Sequence, residues 1–454
     1  MNRYLALLVA LVSVVALVSA VSASAGAPGT WTRLTDPNGR NIDEAGVVRT
    51  PDGVLHVFWK RRSGTKESVM HTTVSPAGKA GAAGTVLAGF GSVDNPDAVV
   101  TGDRKLRVFF AGLGNTPAEG GVVSATAPLS GTGWQREGTR VSTTSSSVGP
   151  VGAGVTGRGD PVFTYTFSFH LGLHVGLQAG STDQELQPDD QCCDYQPDVA
   201  TDASGGRTVL AWFSLAKGRE GIWAQQVLPT VGPRLRAPGS VTGGKVVTSD
   251  QRTAIAARVG RPGVYVAYCS GYPTCKQAKL WQVGAKNALV AGTSPDVEDV
   301  NVAAGPEGRL WVMWHDGQSA RGLFVRRTNK AATRFGPLIR VAPPRGTSTI
   351  WKLNGEGSTG VLDLLTSVTT GSSLATWHTQ VLAPLDLSAK RAKSTVTFRV
   401  TDAGDPVGGA TIVVAGKRLT TNAAGRATTS LAGSTRATAS KRGYAPASTA
   451  VGGP

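Results

Sequence analysis

No segment of the chain spaces its apolar residues every three to four positions over the length of a helix, which excludes a helical bundle. Charged residues are few, at 17% of the 454. There is no Gly-rich phosphate loop, no G-x-S-x-G elbow and no H-E-x-x-H pair, so the chemistries those motifs carry have nothing to rest on. Cysteine is confined to Cys192, Cys193, Cys269 and Cys275. No C-x-x-C spacing or matched histidine pair accompanies them, so neither a metal nor another cofactor is expected. Past the N-terminal apolar run no second long one follows, and no membrane span is expected once that run is removed.

The N-terminal run reads as a secretory signal. Arg3 precedes apolar residues from Tyr4 to Val21, and Ala23-Ser24-Ala25 supplies the small-residue cleavage pattern. The alternative is an uncleaved anchor of similar length. We expect residues 1–25 to be a signal peptide and the mature chain to be secreted, extracellular or cell-wall associated. No cysteine ends the run, which excludes a lipid anchor there.

Glycine is abundant, at 59 residues, and short runs of Val, Thr and aromatics alternate with Gly/Pro/Ser/Asp turns. That pattern is all-β. One strand recurs seven times, with anchors at Leu55, Leu106, Val162, Val209, Val264, Leu310 and Leu362. The steps between anchors are 51, 56, 47, 55, 46 and 52 residues. A period near fifty with three or four short strands per repeat describes a β-propeller blade. We expect a seven-bladed propeller over 26–387, with six blades as the alternative. Small residues (Gly46, Ala98, Gly154, Ala200, Ala256, Ala303) mark the innermost strands, and Trp59, Phe110, Phe213, Tyr268 and Trp314 mark the packing between blades. The stretch 30–37 has no other partner and is expected to supply the outer strand of the last blade.

From about residue 388 the period ends. Short alternating strands with turns at 404–406 and 422–425 read as a separate small β-sandwich over 388–454. The chain carries +16, of which residues 388–454 hold +8: ten Lys/Arg against Asp402 and Asp405. Such a balance fits an anionic partner, a cell-wall polymer or acidic glycan, without specific nucleic-acid recognition.

The repeats QPDVATDASGGRTVLAWFS (196–214) and DVNVAAGPEGRLWVMWHDG (299–317) resemble those of the sialidase-like propeller superfamily, in a divergent form. The tail, through VTDAGDPVGGATIVVAG (400–416) and TTNAAGRATTSL (420–431), resembles carboxypeptidase-regulatory-like or bacterial immunoglobulin-like modules. The second resemblance implies surface attachment or spacing. The first implies three arginines around a carboxylate, a Tyr–Glu nucleophile pair and an acidic proton donor. The Arg-Ile-Pro entry motif of sialidases is absent; Asn38-Gly39-Arg40-Asn41-Ile42 stands near its place, and Asp-box turns are absent too. Tyr268, which could be cast as nucleophile, occupies a blade-packing position.

The loops entering the inner strands and those joining second to third strands share one face of a propeller. Asp43, Glu44, Asp97, Asp189, Asp190, Asp194, Tyr195, Tyr272, Glu298 and Asp299 fall on that face and are the candidate binding residues. The four cysteines fall there too, and an exported chain favours disulfides. Cys269–Cys275 is the simplest pairing, leaving Cys192 and Cys193 as neighbours; two crossed bridges are the alternative. No residue is assigned a catalytic role. The expectation is a monomeric, non-catalytic binding or surface-interaction protein for an extracellular glycan or anionic cell-wall polymer. A divergent, exo-acting sialidase-like glycoside hydrolase is the alternative, for which two well-placed carboxylates are the minimum.

Overall fold

A computed structural model describes residues 28–36, 44–114, 121–142, 148–166, 173–177, 180–185, 194–202, 204–240, 252–270, 275–317 and 322–453. Between Thr32 and Val381 the strands form seven four-stranded antiparallel sheets. Sheets one to six span 46–90, 92–142, 152–185, 194–236, 255–293 and 297–341, each with its strands paired in chain order. Sheet seven takes three strands from 347–381 and its fourth from Thr32–Arg33.

Turn chemistry sets the first hairpin of each early sheet. Thr50, Thr101 and Thr156 each end a first strand and accept a backbone bond three residues on, from Gly53, Arg104 and Gly159 at 2.9 Å. Those residues sit at φ of 86°, 60° and 85°, the left-handed region that closes a tight turn. Thr50 and Thr101 also donate their hydroxyls to Asp52 and Asp103 at 2.5 Å. Arg158-Gly159-Asp160 belongs to this same turn and has a structural reason for its spelling.

The recurring second strand is the core of every sheet. Leu55, Leu106, Val162, Leu310 and Leu362 are wholly buried, and Trp59, Phe110, Phe213, Tyr268 and Trp314 are all buried with them. Alternation places successive side chains on opposite faces, so both faces of these strands are covered by neighbouring sheets. First strands lie side by side from sheet to sheet, and that of sheet seven returns to that of sheet one. Their small residues permit it: a Cβ on Gly46 would stand 2.3 Å from the Pro96 carbonyl oxygen of the next sheet.

The N-terminal strand pairs Thr32 with His378 and Arg33 with Trp377. Two further bonds extend it, Leu34 N to Thr376 O and Thr376 N to Thr35 Oγ1, both at 2.9 Å.

Strand pairing beyond sheet seven begins at Ala383–Pro384, which run parallel to Tyr444–Ala445, and the first long C-terminal strand starts at Asp386. One sheet joins Asp386–Ala392, Thr395–Asp402, Asp405–Pro406 and Arg426–Ser430; the other joins Lys417–Thr420, Thr411–Val414, Thr435–Ser440 and Ala447–Val451. Val396, Phe398, Val400, Ile412, Val414, Ala437 and Ala439 fill the space between them. No helix among the described residues is long and apolar enough to cross a membrane.

This C-terminal part is fastened to sheet six by charge. Arg309 donates to Asp405 at 2.6 Å and lies 3.3 Å from Asp402. Arg327 donates to Asp402 at 2.5 Å while its guanidinium stacks over Trp311 and Tyr444. The Lys330 amide donates to Asp405 at 2.7 Å. Both carboxylates of residues 388–454 are therefore spent on this junction. Asp402→Ala leaves two buried guanidinium groups without their shared partner and should destabilise the chain by about 3–5 kcal/mol. Lys330→Ala, which removes only the exposed pair with Glu307, should cost under about 1 kcal/mol. Urea midpoints of the two variants test the difference; equal midpoints would show that the buried pairs do not hold the junction.

Candidate functional site

Three first strands are irregular where they enter their sheets. Register slips between Asp94 and Asp97, between Tyr195 and Asp198, and between Glu298 and Asn301. An extra residue of this kind turns the strand and re-aims its side chains. Gln196 and Asp299 take the strain, at φ of 53° and 49°. The outcome is that Asp97, Asp198 and Asn301 each accept the amide of the following residue, at 2.9, 2.7 and 2.7 Å. Asp97 and Asp198 come from the same local spelling, Asn-Pro-Asp and Gln-Pro-Asp.

Arg252 lies among them. Its amide donates to Glu44 Oε2 at 2.7 Å, its Nη2 is 3.5 Å from Glu44 Oε1, and its Nε is 3.8 Å from Asp97 Oδ2. Its Nη1 donates to the Pro96 carbonyl at 3.3 Å. Arg252 and Glu44 are 3% and 4% exposed. Burial disfavours the guanidinium charge, but Asp97, Glu44 and Asp198 more than offset it and Arg252 stays protonated. Burial also lifts Glu44 above the ordinary carboxylate range, against the pull of Arg252. Asp198 is pushed well above that range, first by burial and then by the Asp97 charge. One arginine thus ties the entries of sheets one, two and five together, with the sheet-four carboxylate in its field.

A second chain of contacts continues through sheets six and seven. Asn301 Nδ2 donates to Glu44 Oε1 at 3.1 Å and to the Leu353 carbonyl at 2.9 Å. The Leu353 amide donates to Asp299. Asn354 Nδ2 reaches the Ala45 carbonyl at 2.7 Å, joining sheet seven to sheet one. Asp97 Oδ2 accepts the Ala153 amide at 2.8 Å, joining sheet two to sheet three. Burial raises Asp299 to about 7, with Lys352 opposing and Glu44 reinforcing.

The candidate residues therefore separate. Glu44, Asp97 and Asp299 converge in this lattice, and their oxygens serve backbone amides, Asn301 and Arg252. Asp194 is buried apart from it, its carboxyl raised by burial against bonds from Ser214 and Trp212. Tyr195 is exposed and Glu298 half-buried. Asp43, Asp189, Asp190, Tyr272, Cys192 and Cys193 lie outside the described residues. Cys269 and Cys275 form a disulfide across the loop between second and third strands of sheet five. Tyr268 is buried and donates its hydroxyl to the Pro238 carbonyl at 2.6 Å; burial raises its pKa. Arg252, Asp198, Asn301 and Lys352 were not singled out from sequence. The available signal was a lone charge at the start of an apolar strand, as in RTAIAAR (252–258) and IWKLNG (350–355), and the doubled Pro-Asp spelling.

The C-terminal sheets present a different kind of surface. On the outer face of the first, Arg399 stands directly opposite Arg426, and Lys390 opposite Thr397, which faces Thr428. All three basic residues are exposed. Directly opposed like charges repel. The carboxylates that could relieve them are elsewhere: Asp402 and Asp405 bind sheet six, and Asp386 lies in the field of Asp402 and Arg334. Arg418 and Arg436 lie on the second sheet, in strands flanking the one that carries exposed Val413.

The Asp299 carboxyl titrates near 7 when folded against an ordinary 3.8. A raised folded value means stability present at low pH and lost as pH rises through that window. Asp299→Asn removes the titration. Its unfolding free energy relative to the native chain should improve by up to ~4 kcal/mol between about pH 4 and about pH 8. Urea unfolding across that range checks it, and a flat difference would show that Asp299 does not titrate there.

No known protein family matches the chain, and no curated protein matches it. Solved structures resemble it remotely. A polysaccharide lyase shares 9% identity over 74% of this chain and 89% of its own, at a TM-score of 0.43. The α-L-arabinofuranosidase of Fusarium graminearum shares 12% over 77% and 97%, at 0.42. The six-bladed fungal lectin of Aleuria aurantia shares 14% over 63% and 91%, at 0.39. At these scores none carries an argument about activity.

Proposed function

We propose that the chain is a secreted, non-catalytic binding protein for an anionic extracellular polymer, a phosphate-, sulfate- or uronate-bearing cell-envelope glycan. In this reading the seven sheets are the blades of a closed, divergent sialidase-like propeller over 26–387. Residues 388–454 are an immunoglobulin-like module that supplies the contact. The propeller is the scaffold, and the protein acts as a monomer at the cell wall or outside it.

The observation that carries the reading is the Arg399–Arg426 pair on a sheet whose Asp402 and Asp405 are engaged elsewhere. Two opposed guanidinium groups with Lys390 nearby are stabilised when an anion is shared between them, and a planar fork suits carboxylate, sulfate and phosphate alike. Flanking Ser388, Thr397 and Thr428 add hydroxyls on the same face. The glycoside-hydrolase alternative has weaker support. It needs two carboxylates open to a substrate, whereas Glu44, Asp97 and Asp299 are buried and bonded. Arg252 is the arginine among them in the described residues, and it is paired rather than free to receive a substrate carboxylate.

Calorimetric titration of the mature chain with dextran sulfate and poly(glycerol phosphate) tests the reading, with neutral dextran as control. Binding to at least one polyanion is expected, weakening as salt rises. The triple variant K390Q/R399Q/R426Q should bind about tenfold more weakly or worse, a loss of ~1.4 kcal/mol. Absence of polyanion binding at low salt, or unchanged affinity in the variant, would overturn it.

A further inference from the structure

Sheet one buries two histidines against each other where it meets sheet two. His56 Nδ1 lies 2.9 Å from His71 Nε2, the rings stack with centroids 5.1 Å apart, and the residues are 1% and 7% exposed. Alternation puts His56 on the Phe58 face of its strand and His71 on the Val69 face, and both faces pack on sheet two. The turn 129–134, between the strands Gly121–Pro128 and Gln135–Ser142 of sheet two, sits on the pair. A Cβ on Gly131 would stand 2.5 Å from His71 Cε1 and 2.9 Å from His56 Nδ1, so backbone rests directly on the rings. Trp134 donates its indole N–H to the Gly131 carbonyl at 3.0 Å and meets Phe58 and His71 edge-on, with centroids 5.5 and 5.6 Å away.

Hydrogen bonding fixes the protons. Thr50 Oγ1 donates to Asp52 at 2.5 Å, so toward His56 Nε2, 3.4 Å away, it can only accept. His56 therefore carries its proton on Nε2 and offers a bare Nδ1, to which His71 donates its Nε2–H. The chain His71, His56, Thr50, Asp52 is complete only while both rings are neutral. A proton added to His56 sets two N–H groups head to head. A proton added to His71 encloses a cation among Phe58, Trp134 and Gly131.

No charge stands close enough to compensate. Asp52 is exposed at the hairpin turn and reaches the pair only through Thr50. On the same face of sheet one, Lys60, Arg62 and Glu67 lie four or more residues along their strands, about 13 Å or farther. Arg49 is paired with Glu356 and Asp363 on the side toward sheet seven. The strand Gly84–Phe90 and the turn 129–134 carry no charged residue. In sheet two Arg136 lies over Phe90, while Arg107 and Glu137 pair on the face toward sheet three. Burial holds His56 down to about 4, with Asp52 opposing, and His71 down to about 3, with His56 adding to the effect.

We propose that this pair is an acid-sensitive latch, which seats the turn 129–134 of sheet two on sheet one while both rings are neutral and releases it when they are protonated. The sign follows from proton uptake. Once the turn lifts, water reaches the rings and they regain their ordinary 6.5, so the open form binds more protons than the closed one below about pH 6.5. The seated turn is therefore favoured above that pH and loses its advantage as pH falls toward the folded values. Phe90 packs edge-on against Phe110 deeper in the same seam, which holds the rest of it together.

Asp299 titrates with the opposite sign, so the latch is read locally rather than from global stability. Amide hydrogen exchange of the mature chain, corrected for the intrinsic pH dependence of exchange, follows residues 128–135 at pH 7 and pH 4.5, and hydroxyl-radical labelling follows the Trp134 side chain. Opening of the turn should rise about a hundredfold or more between the two pH values, with the corresponding connection of sheet four, 228–234, unchanged. H56N/H71Q keeps an amide nitrogen near each ring nitrogen of the shared bond and cannot titrate, so its turn should open no more at pH 4.5 than at pH 7. H56N and H71Q taken singly should each remove about tenfold or more of the response, and they carry the test if the double variant does not fold. A turn that stays seated at pH 4.5 in the native chain, equal opening in sheet four, or an undiminished pH response in the amide variants would overturn the proposal.

Discussion

The line along which the first strands of successive sheets meet is the most crowded place in the chain, and every other feature answers to that crowding. First strands from successive sheets approach until a single methyl would collide: a Cβ on Gly152 would stand 2.6 Å from the Asp198 Cα. Apolar side chains cannot fill such a space, so it is filled by backbone and by short polar groups that bond backbone. Asp97, Asn301 and Asn354 each bridge to the next sheet in this way. Arg252 reaches farther than any of them and ties non-adjacent sheets. A buried ion cluster of this type adds little net stability, because desolvation offsets most of the attraction. Its geometric demands are strict, however, and a mispaired strand would leave a naked charge. The cluster therefore discriminates between correct and incorrect registers more than it strengthens the correct one.

Carboxylates are the scarcer charge in this chain, 30 against 46 Lys and Arg, and their distribution shapes its surface. Several are withdrawn to the centre, and two more to the junction with the C-terminal sheets. What remains outside is enriched in cations by subtraction. The basic character of the tail is thus a product of docking as well as composition: Asp402 and Asp405 are present in its sequence and absent from its exposed face.

The repetitive parts of the architecture were legible in the sequence because period-two alternation and turn chemistry are local. The seven second strands, their aromatics and the pairing of residues 32–33 with sheet seven follow from patterns within a few dozen residues or from simple elimination, and of the two cysteine pairings left open the structure holds the simpler, Cys269–Cys275. The centre was less legible. Glu44, Asp97 and Asp299 could be assigned to one face, but sequence does not say whether a carboxylate on that face meets water or an amide. Arg252 decides it, and its role depends on Glu44, 208 residues away in the chain. Pairings that distant leave no periodic trace.

The strand contributed by Thr32–Arg33 has a temporal consequence. Its partners, His378 and Trp377, are among the last residues of the seven sheets to be made. Until they emerge, the start of the chain has nowhere to dock and the arc of sheets stays open at both ends. Closure over so long a loop is entropically slow compared with the hairpins around it. A chain built in this order completes six of its four-stranded sheets before the seventh can receive its outer strand.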